Sequence, residues 1–503
     1  MSQGTTESRS GSDRTNVLLI CTDHWPGALL GVEGHPVIQT PTVDELARTG
    51  VRFERAYSEC PVCIPARRTL MTGTTPRTHG DRVFQQTLPM PDLPTLAQTF
   101  RNAGYQAYAA GKLHVYPQRN RIGFDDVMLG EEGRTQYGVT DDYELFLGDK
   151  GCAGQQFRHG MANNQYVTRA WHLPEELHNT TWTATEMEKF IKRRDPTRPA
   201  FFYLSFAHPH PPLAPIQYYL DLYRRLEIDP AVVGEWAKDP EKLPFKLKKS
   251  AEYSIGFSEE MLRDAICAFY AAVTHIDHQI RRVIGTLREE GLLDNTYIMF
   301  TSDHGDMLGR HGLWAKRLFY EWSARVPMIL AGPVGNKRVG ANTVDSRLVG
   351  WQDIMPTLLD LCDIPIPDSV EGISMVGEKR RELLYGEEAE GARANRMMHD
   401  GRHKLIYYPA GNVFQLFDLE EDPDEVHDLS GDPAYRDIRD HLTTALIGNL
   451  YGGDREWIKD GSLVGMPEPE YRYRPVPGLF GQRGSHWSPP PASGREIKDL
   501  DLI

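Results

Sequence analysis

The chain has 503 residues, of which 40% are hydrophobic and 25% are charged, ordinary proportions for a globular protein with room for two or more domains. A formal net charge of -14 argues against general nucleic-acid binding, although a locally positive cleft can still accept an anionic substrate. The charge therefore leads us to expect no nucleic acid as a partner. Because no apolar run approaches the length of a membrane span, we expect no membrane as a partner either.

Residues 1–15 are polar and lack an apolar core of the kind that secretory signal peptides carry, so we predict a disordered lead and a cytoplasmic location. The cysteines are sparse and irregularly spaced, which does not suggest a disulfide framework. They are Cys21, Cys60, Cys63, Cys152, Cys267 and Cys362.

The first buried strand is predicted over 17–21 and runs into Asp23 and His24. Ligands of open α/β sheets gather at the carboxyl ends of strands, so Asp23 is well placed for function. An aspartate that only caps the following turn is the plainer alternative.

A helix over 41–50 and a strand over 51–57 precede the segment 63–73, CIPARRTLMTG. The segment places Cys63 just before a predicted helix, whose free N–H groups and positive dipole end suit an anion. Arg67 adds a cation one turn later, and Gly73 suits the helix end. An ordinary buried cysteine is the alternative, as is a redox pair or half zinc site with Cys60.

A helix over 93–104 and a strand over 105–109 lead to Lys112 and His114, whose side chains fall on one side because strand residues alternate. Residues 117–185 lose regular periodicity, as long specificity loops often do. Polar and aromatic side chains there are candidates for a substrate pocket, or else for loop packing: Arg169, Trp171, His172, His178 and Trp182.

Two further strands, over 200–206 and 296–301, deliver more candidate groups at their ends. The first runs into His208 and His210, and the flanking prolines suit a histidine held for proton transfer. Between the strands, residues 258–290 carry one apolar stripe at helical spacing, which indicates core packing. The second strand precedes Asp303, His304 and Asp306, and Lys316 follows in the next loop.

The C-terminal third contains one more strand within 321–332, a helix over 351–362 and a short strand over 383–388. A hairpin over 396–409 turning at Asp400-Gly401, a strand over 413–418 and a helix over 435–450 then predict a small antiparallel domain. We place its limits at 381–451, after a catalytic domain over 16–380. The proline-rich tail 452–503 is expected to wrap the body, to contact a second copy in a homo-oligomer, or to be mobile.

The pattern C-x-P-x-R-x-x-x-x-T-G over Cys63–Gly73, together with the ordered strand-end motifs, resembles the type I, formylglycine-dependent sulfatases of the alkaline phosphatase superfamily. The resemblance implies an alkaline-phosphatase-like α/β/α sandwich with a large mixed sheet and a smaller C-terminal α+β domain. It also implies that a formylglycine-generating enzyme oxidises Cys63. By the same resemblance, the metal ligands are Asp23, Cys63, Asp303 and His304, and the catalytic residues are Cys63, Arg67, Lys112, His114, His210 and Lys316.

One position departs from the family pattern, because His24 stands where most sulfatases carry a second aspartate. We assign His24, Trp171, His172 and Trp182 to substrate binding. The expected reaction is hydrolysis of a small-molecule or saccharide sulfate ester to an alcohol and inorganic sulfate. One divalent metal is implied, with Ca²⁺ favoured by oxygen ligands and Mn²⁺ or Mg²⁺ left open.

Two alternatives remain at this stage. His24 favours a phosphonate monoester or phosphodiester hydrolase of the same superfamily, whereas Lys112 favours a sulfatase. An unmodified, catalytically inactive anion-binding protein is the alternative of another class.

Overall fold

A computed structural model describes residues 14–131, 139–254 and 256–472. The predicted disordered lead 1–15 lies outside this range except for its last two residues, and so does the tail beyond residue 472. The model therefore does not test these two predictions.

An eight-stranded sheet forms the centre of the protein, with strand order β4-β3-β5-β1-β6-β7-β2-β8. All neighbouring pairs are parallel except those of β7, which runs antiparallel to both β6 and β2. The strands are β1 Asn16–Thr22, β2 Val51–Tyr57, β3 Gln106–Gly111, β4 Asp126–Leu129, β5 Ala200–Ser205, β6 Thr296–Ser302, β7 Met328–Ala331 and β8 Thr343–Gly350.

Helices cover both faces of this sheet, and one more helix, α12, packs on the C-terminal part of the protein. They are α1 Pro41–Thr49, α2 Cys63–Thr72, α3 Pro76–His79, α4 Leu96–Asn102, α5 Asp142–Asp149, α6 Asn179–Arg193, α7 Gln217–Arg224, α8 Phe245–Ala251, α9 Glu259–Glu289, α10 Glu321–Ala324, α11 Ile354–Leu361 and α12 Arg436–Asn449. Within the described ranges, none of these helices has the length and apolarity that crossing a bilayer requires.

The alternation of side chains along β1 explains the two layers. Val17 and Leu19 pack into a core shared with α2, α4 and α11, whereas Leu18 and Ile20 face a second core shared with α1, α6, α7 and α9. Every residue of β1 is buried, as expected for a strand covered on both faces. The predicted α/β/α sandwich with a mixed sheet is confirmed.

A four-stranded antiparallel sheet forms the smaller C-terminal unit, in the order β12-β11-β10-β9. Its strands are β9 Leu384–Glu388, β10 Asn395–His399, β11 His403–Tyr408 and β12 Val413–Asp418, so the predicted hairpin around Asp400-Gly401 is confirmed. Leu405 and Tyr407 face α12, while Ile406 and Tyr408 join the core of the large sheet. This sheet is therefore packed on both faces.

Several elements were not predicted from the sequence. They include β4, α5 and the start of α6, all within 117–185, which was expected to be irregular, and β8 at the sheet edge. Helix α6 was missed because its first turns, NTTWTAT, are rich in β-branched and polar residues with low helix propensity. The first half of β8 is mostly exposed, so it lacks the apolar signal of a buried strand.

The beginning of the predicted tail packs on the body of the protein. Asp454 is 1% exposed and accepts hydrogen bonds from both Arg82 and Arg396. A short hairpin, β13 Ile458–Lys459 and β14 Ser462–Leu463, follows it.

Candidate active site

Four adjacent parallel strands, β3, β5, β1 and β6, end at the same edge of the large sheet. Lys112 follows β3, the His208–His210 turn follows β5, Asp23 follows β1 and Asp303 follows β6. Because neighbouring strands lie about 4.8 Å apart, groups scattered over almost 300 residues of sequence meet at this edge.

Helix α2 brings the cysteine to the same edge. The helix begins at Cys63 itself, one residue earlier than expected, and Gly73 ends it with a positive φ of 65°. All ten helical residues are buried. Cys63 therefore lies in the first turn, next to main-chain N–H groups that have no carbonyl partner within the helix.

Four buried side chains offer metal-ligating atoms that lie within 4.8 Å of one another: Asp23, His24, Cys63 and His304. The Cys63 Sγ atom lies 3.3 Å from His304 Nε2 and 3.7 Å from Asp23 Oδ1. His304 Nε2 is in turn 3.3 Å from Asp23 Oδ1 and 3.5 Å from Asp303 Oδ1.

The electrostatics of this cluster suit a divalent cation. Burial alone would raise the pKa of Asp23, but the charge of Lys112, with smaller contributions from neighbouring histidines, holds it well below its usual range. Burial and the Asp23 carboxylate raise the pKa of Asp303 to about 7. Asp303 Oδ1 is buried and accepts no hydrogen bond from the described residues. A cation bound between the carboxylates of Asp23 and Asp303 would take the place of a proton and cancel their mutual repulsion. These ligand atoms therefore fit a metal ion.

Three cationic side chains surround the cluster. Lys112 Nζ pairs with Asp23, and Lys316 Nζ donates to Cys63 Sγ at 3.3 Å. Arg67 Nε donates to Asp303 Oδ2 at 3.0 Å, and its Nη1 donates to the Lys112 carbonyl and the Ser205 hydroxyl at 2.9 and 2.8 Å. These contacts give an anion at this edge three positive neighbours.

His24, predicted to bind substrate, lies among the potential metal ligands. Its Nδ1 atom is 2.6 Å from Asp306 Oδ2, and its Nε2 atom is 2.5 Å from Lys316 Nζ. Burial and the charge of Lys316 hold the pKa of His24 well below its usual range, so the imidazole is neutral.

The two candidate proton donors occupy different surroundings. The His210 ring lies 4.5 Å from that of His24, and the residue also lines a cleft. The described contacts of His114 are an edge-on contact of its ring with Phe84 and a main-chain hydrogen bond to Glu131. His210 is thus the candidate with a described contact to the cluster.

The predicted substrate-binding aromatics separate into two groups. Trp171 lines the cleft and contacts His178, which lines it too. His172 contacts Trp171 and the Gln155 carbonyl.

Trp182, by contrast, is 1% exposed and packs against the rings of Tyr143 and Phe146. Trp182 is thus packed inside the protein, and its assignment to substrate binding stays a prediction.

Asp306 and Tyr166 are the members of this site that sequence reasoning underrated or missed. Asp306 was expected only as a loop group or as a group behind the residues that contact the ligand; in the structure it pairs with His24, and the Tyr166 hydroxyl donates to the same carboxylate. The position of Asp306 three residues after Asp303 was a usable signal. Tyr166 lies in the irregular stretch, where no pattern marks it.

The C-x-x-C alternative finds no support in the geometry. Cys60 and Cys63 are both free thiols, and Cys60 Sγ faces the Arg82 carbonyl at 3.9 Å. Burial, with the charge of Glu388, raises the pKa of Cys60 well above its usual range. A protonated, buried thiol of this kind is inert.

Comparison with known proteins places this site in a family. A model described as "Sulfatase" matches residues 15–364, and one described as "N-sulphoglucosamine sulphohydrolase, C-terminal" matches residues 309–450. An arylsulfatase of Clostridium perfringens is 36% identical over 475 residues, which cover 90% of this chain and 98% of the relative. A choline-sulfatase of Rhizobium meliloti is 31% identical, over 85% of this chain and 86% of the relative.

Solved structures agree on the fold. The phosphonate monoester hydrolase of Agrobacterium radiobacter superposes with a TM-score of 0.73 at 24% identity, over 86% of this chain and 95% of that one. At this identity the likeness concerns the architecture alone. Because the sulfatase model covers most of the chain and the Clostridium relative matches nearly its full length, the protein is an enzyme of the sulfatase family.

Proposed function

We propose that the protein hydrolyses a sulfate ester to an alcohol and inorganic sulfate, with formylglycine derived from Cys63 as the nucleophile. One observation carries the proposal: Cys63 Sγ, which stands for the nucleophilic oxygen, lies within 3.7 Å of Asp23, His304 and Lys316. A nucleophile between carboxylate, imidazole and ammonium groups suits attack on an anionic ester.

Formylglycine supplies a hydrated aldehyde, one hydroxyl of which attacks sulfur and displaces the alcohol, while the second loses its proton so that sulfate is expelled. A thiol has no second hydroxyl and cannot complete this release. We therefore include a formylglycine-generating enzyme as a partner during maturation.

The metal in this proposal is a single divalent cation held by Asp23, Asp303, His304 and the modified residue 63. When bound, it polarises the non-bridging oxygens of the ester and lowers the pKa of the nucleophilic hydroxyl. Ca²⁺ remains the first choice for the carboxylate oxygens, and the His304 nitrogen keeps Mn²⁺ or Mg²⁺ open.

The cations of the site have distinct parts in this reaction. Arg67 Nη2 is buried and finds no hydrogen-bond partner in the described part of the chain, so it is the guanidinium atom left to contact the sulfate. Lys316 sits beside the nucleophile, where its ammonium group faces the anion. Lys112 holds Asp23 in its ionised state and adds positive charge.

A histidine protonates the departing alcohol, and we favour His210 over His114. His210 lines the cleft beside the cluster, so it can reach an alcohol bound there. Aromatic and imidazole groups, including Phe157, Trp171 and His178, line the same cleft. Such a surface suits the flat ring of a phenol, and we therefore propose an aryl sulfate as the first substrate to test.

The test is turnover of a panel of aryl, choline and saccharide sulfates by the protein and by Cys63→Ala. We expect hydrolysis by the protein and none by the variant, with the Cys63 peptide carrying the aldehyde in mass spectrometry. Equal turnover by the variant would contradict the role of residue 63.

A phosphonate or phosphodiester hydrolase is the second candidate, favoured by His24 in place of the family's aspartate. The ratio of aryl phosphonate to aryl sulfate turnover decides between the two, because faster phosphonate cleavage would reverse our choice. An unmodified anion-binding protein is excluded if the Cys63 peptide is oxidised and turnover is observed.

We also propose a cytoplasmic location. The six cysteines, all in described parts of the chain, are free thiols, which suits a reducing compartment.

A further inference from the structure

Asp306 has more hydrogen bonds than a loop aspartate needs. It is fully buried, and its Oδ1 atom accepts from the main-chain N–H groups of Leu308 and Ala315 at 3.0 and 3.2 Å. Its Oδ2 atom accepts from the Tyr166 hydroxyl and faces His24 Nδ1 at 2.6 Å. The carboxylate therefore ties together the loop that precedes Lys316 and the histidine that Lys316 contacts.

These contacts determine the tautomer of His24. An ammonium group can only donate, so His24 Nε2 accepts from Lys316 Nζ at 2.5 Å. The proton of the neutral ring is then on Nδ1, where it is donated to Asp306. A chain of hydrogen bonds thus runs from Tyr166 through Asp306 and His24 to Lys316, whose other described contact is Cys63 Sγ.

The backbone supports the same arrangement from both sides. His24 has a φ of 70° and Ala315 a φ of 63°, conformations that non-glycine residues adopt at a cost. Asp306 holds the N–H of Ala315, so the residue immediately before Lys316 is fixed by the carboxylate that orients His24. Asp306 therefore fixes the backbone next to Lys316 directly and reaches the Lys316 amine through His24.

We propose that Asp306 and His24 are positioning residues that hold the Lys316 ammonium against the nucleophile and the sulfate. The proposal rests on the function proposed above, because the anion that Lys316 contacts is the sulfate group of the proposed substrate. It assigns to His24 a role that differs from substrate binding: the imidazole accepts a hydrogen bond from the Lys316 ammonium group.

A double-mutant cycle tests this coupling. Asparagine tolerates a positive φ and is too short to reach Lys316, so His24→Asn removes the acceptor with little backbone cost. We expect Lys316→Ala to lower kcat/KM by ~100-fold and His24→Asn by ~10- to 100-fold. If His24 acts through Lys316, the double variant loses no more than Lys316→Ala alone. His427→Asn, the same change at an exposed histidine, is the matched control and should not alter kcat/KM.

Asp306→Asn tests the tautomer with a side chain of the same shape. If its oxygen keeps the two main-chain N–H groups, its amide donates to His24 Nδ1, so that Nε2 carries the proton and repels the ammonium group. We expect a loss of ~10-fold or more, again absent in the Lys316→Ala background. Additive losses in either cycle would overturn the proposal, as would loss of bound metal from His24→Asn, which would make the histidine a metal ligand instead.

Reductive methylation of lysines, followed by peptide mass spectrometry, gives a readout that needs no turnover. His24→Asn releases the Lys316 amine and should accelerate its methylation about 3-fold or more, whereas the exposed Lys189 should keep its methylation rate. An unchanged Lys316 rate would overturn the proposal. If the wild-type protein hydrolyses no sulfate ester, the proposed function fails, and the methylation rates still decide whether His24 holds Lys316.

Discussion

Replacing Arg67 by lysine isolates the geometry of the guanidinium from its charge. Arg67 is 2% exposed, and its Nε and Nη1 atoms donate in two directions, to Asp303 on one side and to Lys112 and Ser205 on the other. A lysine side chain ends in a single nitrogen, which cannot serve both directions. Arg67→Lys therefore preserves the charge but leaves some acceptors of the buried hydrogen-bond network without a donor.

The expected magnitude follows from the contacts that are lost. Hydrogen bonds to charged groups contribute about 1.5–3 kcal/mol each, and the lysine forfeits about two of them. We expect the free energy of unfolding to fall by about 3–6 kcal/mol. Loss of Nη2 also removes one donor to the sulfate, so kcat/KM should fall by ~100-fold or more.

Urea titrations and steady-state kinetics measure the two effects on the same preparations. Arg68→Lys is the matched control, because Arg68 donates three hydrogen bonds to the carbonyls of Leu88, Pro89 and His79, outside the site. The control should lose stability yet keep kcat/KM within about twofold. If Arg67→Lys matches Arg68→Lys in activity, the guanidinium does not contact the reacting anion and our reasoning is refuted.

Three further changes probe the frame around the site. Burial raises the pKa of Glu59 from its usual 4.5 to about 7, so stability that is present below pH 4.5 is lost as the pH rises to 7. This loss amounts to about 3 kcal/mol, and Glu59→Gln should abolish it in urea titrations at different pH values. Gly111→Ala places a Cβ 1.9 Å from the Ser205 carbonyl at a positive φ and should disrupt folding and activity; Gly291→Ala has open space and should cost only about 1 kcal/mol in melting experiments. Asp454→Ala leaves the buried Arg396 without its described carboxylate partner, while Arg82 keeps Glu387 and Glu390, and should lower the free energy of unfolding by about 3–5 kcal/mol; an unchanged urea midpoint would contradict this.

The sequence predicted well those parts of the fold whose signal is local. Strand β1 is continuously apolar, and α9 carries an apolar stripe over 31 residues, so both were predicted to within about two residues. Helix α6 and strand β8 were missed because their identity depends on packing that follows only once the sheet exists. Asn179 begins a helix whose buried face carries several threonines, which no periodicity rule recognises.

The candidate site divides in the same way. Asp23, Lys112, His210 and Asp303 follow predicted strands, so their convergence could be expected from the rule that ligands bind at strand ends. The partners of His24 depend on loop paths, and these are set by contacts between distant segments. Tyr166 reaches the site across 140 residues of sequence, which local patterns cannot encode.

The burial of helix α2 has a consequence for the order of events in the life of the chain. All ten residues from Cys63 to Thr72 are enclosed between the sheet and its neighbouring helices. A small sulfate group needs only a narrow approach, whereas an enzyme that reads a stretch of main chain needs that stretch extended. The proposed oxidation of Cys63 would therefore have to precede folding, and the native state would preserve whichever residue, thiol or aldehyde, was present when the fold closed.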